Sequence, residues 1–250
     1  MANKLATIGG VDISENDLLR YLKLSGRITP ILSDMVIQQL VRNYFIQNQM
    51  EISIDELQRA CDHFRSNIGL YKASSTHEWF NSLNISIDDF EQFIETGLMV
   101  SKLKKDVASI ENVKAYFKEH HKEYDTVVIS HIFVTEEGRA SLIYSEIQDE
   151  IEDFAVMARK YSENKKTSKT GGYLGAIRMK DLQKDIAIKI QESQPDDIIG
   201  PIAINDGFEI IKINQIEKAT ELTDDIMEEI NDILFKQWVK EQRKLVTSQD

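Results

Sequence analysis

One cysteine, three prolines and a deficit of basic side chains set the first limits on this 250-residue chain. With Cys61 as the sole thiol, an internal disulfide and any CxxC metal or redox motif are excluded, and a lone cysteine suits a reducing compartment. Only Pro30, Pro195 and Pro201 break the chain as prolines do. Their scarcity, beside plentiful Glu, Lys, Gln, Leu and Ile, predicts a helix-rich protein. Thirty Lys and Arg oppose 42 Asp and Glu, for a formal net charge of −12 and a pI near 5.0. The basic face that nucleic-acid binding needs is missing, so no nucleic-acid partner is expected. No segment approaches 18 uninterrupted apolar residues, and the opening "MANKLATIGGVDIS" carries no apolar stretch of signal-peptide length. The expectation is a soluble, unexported cytoplasmic protein without membrane insertion.

What is present divides by hydrophobic period. "LATI" and "VDI" flank Gly9-Gly10, the pattern of a tight hairpin. Three serines stand three residues ahead of an acid, Ser14/Asp17, Ser53/Glu56 and Ser86/Asp89, and each pair predicts a capped helix start. The last two belong to the related phrases "ISIDEL" and "ISIDDF", which are too short to count as a repeat. Further helices are predicted in "LSDMVIQQLVRNYFIQNQM", around "THEWFNSLN", and in "SIENVKAYFKEHHKEYD". From about Thr126 the period changes from 3.6 to 2. A strand is predicted over "TVVISHIFV", then a helix over 139–161, a polar loop over "SENKKTSKTGGYLG", a helix in "DLQKDIAIKIQES", and two strands around Asn205-Asp206-Gly207. Residues 222–247 read as one long helix, with Ile226, Ile230, Leu234 and Trp238 on one stripe, acids early and bases late.

Candidate chemistry is narrowed by elimination. Adjacent His120 and His121 point about 100° apart on a helix and cannot chelate one ion as an i, i+4 pair could. No HExxH is present, and no metal is expected. Gly171-Gly172-x-x-Gly175 follows a polar loop rather than a strand and lacks the lysine of a phosphate-binding loop, so no nucleotide cofactor is expected. No GxSxG exists, and Cys61 sits in a helical phrase. One anomaly remains. His131 lies between Ile129 and Phe133 on the strand face expected to be buried, either as a core histidine with both nitrogens satisfied or as a site residue.

Five phrases in order bear on that choice: the strand holding His131, "FAVMARKYS", "GGYLG", "GPI" and "GFEII". Together they resemble the parvulin family of peptidyl-prolyl cis-trans isomerases over about 126–217. The flanking "LATIGGVDISENDLLRYL", "ISIDDFEQFIETGLMVSKLKKDV" and "VKAYFKEHHKEY" are similar to the helical N-terminal part of SurA-like and PrsA-like foldases. The fold class implied is α+β: a helix-rich, chaperone-like domain over 1–125, a parvulin-like domain over 126–217 with a small antiparallel sheet and flanking helices, and a long C-terminal helix over 218–250 that packs on the N-terminal domain.

The resemblance also implies a site. His131, Asn164, Asp206 and Glu209 would be its polar residues, and Leu174, Leu182, Ile186 and Phe208 would bind the substrate. His131 and Glu209 would face each other across a cleft. Four positions depart from the family pattern: Glu209 replaces the second histidine, Asn164 an acid or cysteine, Tyr173 an acid, and Ile186 the aromatic floor of the proline pocket. The implied function is isomerisation of X–Pro bonds in unfolded or proline-containing peptide clients, without a cofactor and without a covalent intermediate. Two other readings stand beside it. One is a peptide-binding chaperone whose isomerase site is weak or inactive; the other is a scaffold docking one folded partner.

Overall fold

The computed structural model describes residues 4–247, which fall into two compact units. One comprises the residues up to Val113 with those from Glu229 onward; the other runs from Lys114 to Glu228. The divisions differ from those expected at 125/126 and 217/218, because the segment around Tyr124 and Asp125 is bonded to the sheet-bearing unit. The amide of Met179 donates to the Asp125 carbonyl at 2.8 Å. The amide of Ala219 donates to the Asp125 carboxylate at 2.8 Å, and the Lys180 ammonium lies 5.8 Å from the centre of the Tyr124 ring.

The first unit opens with a hairpin of β1 (Lys4–Ile8) and β2 (Val11–Ser14). Gly9 and Gly10 both take positive φ, +59° and +80°, as the two-residue turn requires. Then come α1 (Glu15–Leu24), α2 (Ile28–Gln47), α3 (Ile54–Asn67), α4 (Ala73–Leu83), α5 (Ile87–Val107) and α6 (Ile110–His120), the last entering the second unit at Lys114. The three serine–acid pairs form reciprocal caps on α1, α3 and α5. At α5 the Asp89 amide donates to Ser86 Oγ at 3.0 Å and the Ser86 amide donates to the Asp89 carboxylate at 2.8 Å. The Ser86 hydroxyl and amide hold the Asp89 carboxyl below its ordinary range. Ser14 does the same for Asp17, and the Ser53 amide and hydroxyl for Glu56. A depressed carboxyl stabilises the fold above its unfolded pKa, and the contribution is lost as pH falls through the folded value. Helicity of the first unit is therefore expected to fall on acidification below about pH 4. Ser86→Ala should remove part of that acid limb in a far-UV circular dichroism titration.

In the second unit β3 (Thr126–Val134) leads to α7 (Glu137–Gln148) and α8 (Phe154–Tyr161), then β4 (Tyr173–Arg178), α9 (Lys184–Gln191), β5 (Ile198–Ile204) and β6 (Gly207–Glu217). The four strands form an antiparallel sheet in the order β4-β3-β6-β5. Three elements differ from the sequence expectation. The single helix over 139–161 is two. Glu150 takes φ +54° after α7, and Asp153 starts α8 by accepting the amides of Ala155 and Val156. Strand β4 lies where a loop was expected to end; it is an edge strand with no fully buried residue and a glycine inside, so it has little alternation to read. The helix expected in "DLQKDIAIKIQES" is a 3₁₀ turn at Met179–Asp181 followed by α9.

The sheet is covered on both faces. Ile132, Val134 and Ile210 meet Ile143 and Ile147 of α7 and Phe154 and Met157 of α8. On the other face Val127, Ile129, Ile202, Ile211 and Ile213 meet Met179 and Ile186 and Ile190 of α9. The last element, α10 (Asp224–Thr247), begins in the second unit and completes the first. There, Phe235 and Trp238 pack with Val41 and Phe45 of α2 and Leu103 of α5, and the Trp238 ring meets Tyr44 edge-on at 5.4 Å. The Lys104 ammonium hydrogen-bonds Asp232 and holds its carboxyl below the ordinary range. A second core, Phe80, Phe90 and Ile94 with Phe64 and Trp79, joins α3, α4 and α5. Among the described residues no helix is long and apolar enough to cross a membrane.

Candidate active site

Strand β3 places His131 on the same face as Ile129, and the ring is 3% exposed. Its register partner on β6 is Ile211, while Glu209 pairs with Phe133. Glu209 is therefore the diagonal neighbour of His131 on one face of the sheet. The two side chains lie side by side on adjacent strands, not across a cleft, with His131 Nδ1 3.1 Å from Glu209 Oε1. On the other side of the ring, Nε2 lies 2.8 Å from Thr167 Oγ1 and 3.4 Å from Asn164 Nδ2.

These partners set the proton positions. A carboxylate only accepts, so Nδ1 carries the hydrogen that it donates to Glu209. A side-chain amide nitrogen only donates, so with the hydrogen on Nδ1 the Nε2 atom is placed to accept, and the Thr167 hydroxyl can donate to it. The loop is built to hold Thr167 there. The Ser168 amide donates to the Asn164 carbonyl at 2.9 Å, and the Gly172 amide to the Thr167 carbonyl at 2.9 Å. The Thr170 hydroxyl also donates to the Thr167 carbonyl, at 2.9 Å, while Asn164 Oδ1 accepts from the Lys166 amide. The His131 amide in turn donates to the Gly172 carbonyl at 2.8 Å. Past α8, the Ser162 hydroxyl accepts from the Phe133 amide, and the Glu163 amide donates to the Phe133 carbonyl at 2.8 Å. Both halves of the loop are thus clamped to the strand that carries the histidine.

The structure brings together three of the four expected polar residues, His131, Asn164 and Glu209. It does not bring Asp206: that residue is exposed at the β5–β6 turn, beyond the pair Val134–Phe208 that ends the register of β3 with β6. Thr167 takes its place in the hydrogen-bonded set. Of the apolar candidates, Leu182 and Ile186 share the histidine's face through the second core. Leu174 is partly exposed on β4. Phe208 is a correction, because strand alternation turns it to the opposite face, where it packs on the first core with Ile132 and Ile210. Ile186 is 5% exposed, buried within its core, so it backs the site and does not offer the open floor expected of it. Nothing in the polar run "SENKKTSKT" singles out Thr167 from Ser162, Ser168 or Thr170; only the 3₁₀ turn at Ser168–Thr170 selects it. Cys61 lies in the other unit, where burial, with Glu91 and Asp62 nearby, pushes its thiol above the ordinary range; a reactive thiolate is not on offer.

A half-open apolar wall beside a hydrogen-bonded histidine needs no nucleophile to be useful. Rotation about an X–Pro bond faces a barrier of about 20 kcal/mol, and a thousandfold acceleration asks for only about 4 kcal/mol of preferential binding to the twisted amide. Fold and site together are similar to those of a parvulin-type peptidyl-prolyl isomerase domain accompanied by a helical N-terminal part. Residues 134–215 match the Rotamase family, described as a PPIC-type PPIASE domain. Asn164, Thr167 and Glu209 lie inside that match, and His131 lies just ahead of it. The chain is similar to the "Foldase protein PrsA" of Lacticaseibacillus paracasei, at 26% identity over 227 residues, 87% of this chain and 71% of that protein. It is likewise similar to the "Foldase protein PrsA" of Geobacillus kaustophilus (strain HTA426), at 21% over 202 residues, 78% of this chain and 68% of that protein. Among solved structures, the peptidylprolyl isomerase (PrsA) from Bacillus cereus has the same fold over 100% of this chain and 93% of its own, with a TM-score of 0.58 at 19% identity.

Proposed function

We propose that this chain is a foldase that isomerises X–Pro bonds in unfolded or proline-containing polypeptide clients, with His131, Glu209, Thr167 and Asn164 as its polar site. The observation that carries the reading is the buried histidine held at both nitrogens, by Glu209 at 3.1 Å and Thr167 at 2.8 Å, on the sheet face that also bears Leu182. The proline ring would lie against Leu174 and Leu182, and the polar set would favour the amide once rotation has uncoupled its resonance. The helical unit supports the client-holding half of the proposal. A cleft of about 490 Å³ opens among α3, α4 and α5 over Phe80 and Phe90, rimmed by Arg65, His77 and Glu91, a size that accepts side chains of an extended segment. A cytoplasmic location belongs to the same proposal; the single cysteine suits it, and fractionation of cells producing the tagged full-length chain tests it.

The test is an isomerisation assay on a panel of X–Pro peptides. His131→Ala is expected to lower kcat/KM by about tenfold or more, roughly 1.4 kcal/mol of transition-state stabilisation. Thr167→Val should lower it less, since it removes the donor to Nε2 and leaves the ring in place. Two observations favour a second reading, a peptide carrier with a weak site: Ile186 is buried within its core, and a carboxylate stands at 209 beside the histidine. Peptide binding that persists while isomerisation runs at the uncatalysed rate would select the carrier.

A further inference from the structure

The cleft among α3, α4 and α5 has an aromatic floor and a charged rim. Phe80 and Phe90 form the floor, and their rings pack with Phe64 and Trp79. Cys61 of α3 lines one wall, and Ile87 of α5, 55% exposed, carries the apolar surface out to solvent. The rim is unevenly charged. Arg65 is spent on Asp62, whose carboxylate it meets at 2.6 Å. Glu91 is exposed and has no ion-pair partner among the described residues. From the start of α3 to the middle of α5, residues 54–97, eight acids stand against three bases, so the cleft lies in a negative field. The field reaches its wall: burial first, and then Glu91 and Asp62, hold the Cys61 thiol above its ordinary range.

Such a cleft discriminates among apolar segments by what stands beside the apolar residue. Ile87 and Glu91 are four apart on α5 and share a face, so an apolar path leads from the floor to an unpaired carboxylate. Lys and Arg suit that path, because they lay a methylene stem on apolar surface and keep the charged head at water. A cation is also attracted to the faces of aromatic rings. An acid in the same place would meet Glu91 and Asp62, and would find Arg65 already taken. Resting on the reading of the helical unit as the client-holding half, we propose that this cleft selects unfolded segments in which an aromatic or large aliphatic residue stands next to Arg or Lys. The apolar side chain fills the cleft over Phe80 and Phe90, and the basic neighbour lies along Ile87 toward Glu91. Proline is not part of this recognition, so the cleft works on clients that the isomerase site ignores.

The test uses the full-length chain and proline-free, fluorescein-labelled peptides: Gly-Ser-Phe-Arg-Leu-Arg-Phe-Ser-Gly and its counterparts with Gln or Glu in place of both arginines. Fluorescence anisotropy should show the Arg peptide binding about fivefold or more tighter than the Gln peptide at low salt, and the Glu peptide weakest. The preference should shrink as salt rises. Glu91→Gln, at an exposed position that leaves the fold alone, should cut the Arg advantage to about twofold or less without weakening the Gln peptide. Glu137→Gln, at an exposed acid of α7, should leave the advantage unchanged. Location has its own readout, since Cys61 is the only thiol: saturating Arg peptide should slow its alkylation by N-ethylmaleimide. Equal affinity for the three peptides with Cys61 still protected overturns the basic preference and leaves the client-holding reading standing. Arg-peptide binding that leaves the alkylation rate unchanged, or a preference that survives Glu91→Gln, places recognition elsewhere and overturns the proposal. Failure of every peptide to bind overturns both.

Discussion

A chain carrying Gly172→Ala is expected to melt its isomerase unit at a markedly lower temperature than the parent and to lose isomerase activity with it. Gly172 takes φ +84°, and a Cβ built there collides with the carbonyl oxygen of His131 and comes within 3.2 Å of Ala158 Cβ. The obstacle is backbone, so no side-chain rotation relieves it. A non-glycine residue at such φ costs on the order of 1–3 kcal/mol. Moving the loop away also stretches the hydrogen bond from the His131 amide to the Gly172 carbonyl, worth about 0.5–1.5 kcal/mol. A combined loss near 3 kcal/mol lowers the midpoint of a unit this size by more than about 10 °C. The control is Gly138→Ala. Gly138 sits in α7 with nothing within 4 Å of an added Cβ, so the change should raise stability by roughly 0.5–1 kcal/mol through helix propensity. Differential scanning calorimetry of both variants decides. Equal melting of Gly172→Ala and parent would mean that the loop is not held against β3 as described.

Ending the chain at Glu228 is expected to unfold the helical unit and spare the isomerase unit. The deletion removes Ile230 and Val239, both buried, and Phe235 and Trp238, which pack with Val41, Phe45 and Leu103. At about 1.5–3 kcal/mol for each large apolar side chain, the gross loss is roughly 6–12 kcal/mol, comparable to the whole stability of an ordinary domain. Residues 114–228 keep both of their cores intact. Limited proteolysis of the truncated chain should leave a resistant fragment from that region while α2 to α5 are digested. Resistance of both halves would show that α10 is dispensable to the first unit.

Much of this architecture is legible in the residues because local rules and tertiary contacts agree. The serine–acid pairs name three helix starts, Gly9-Gly10 names the hairpin turn, and the stripe on 222–247 anticipates the burial of Ile226 and Ile230. The polar site is legible only in part. His131 stands out because a titratable ring interrupts an apolar strand face, and the resemblance points to Asn164 and Glu209. Thr167 has no such mark: its role depends on a 3₁₀ turn whose bonds run from Asn164 to Gly172, and composition does not encode which of several hydroxyls a turn will aim. Phe208 and Asp206 fail for the opposite reason. Proximity in sequence to Glu209 is no guide to proximity in space, because alternation reverses the face at every residue and the hairpin turn carries Asp206 past the end of the paired strand.

The division of the chain at Val113 and Glu229 bears on how the protein is born. A ribosome adding roughly 5–20 residues per second needs about 6–25 s to travel from one point to the other. Throughout that interval α2 and α5 have been synthesised without the helix that covers Val41, Phe45 and Leu103. The inserted isomerase unit, by contrast, has all its strands before α10 is finished. The sheet-bearing unit is therefore complete in sequence while the helical unit, begun before it, still lacks its last helix.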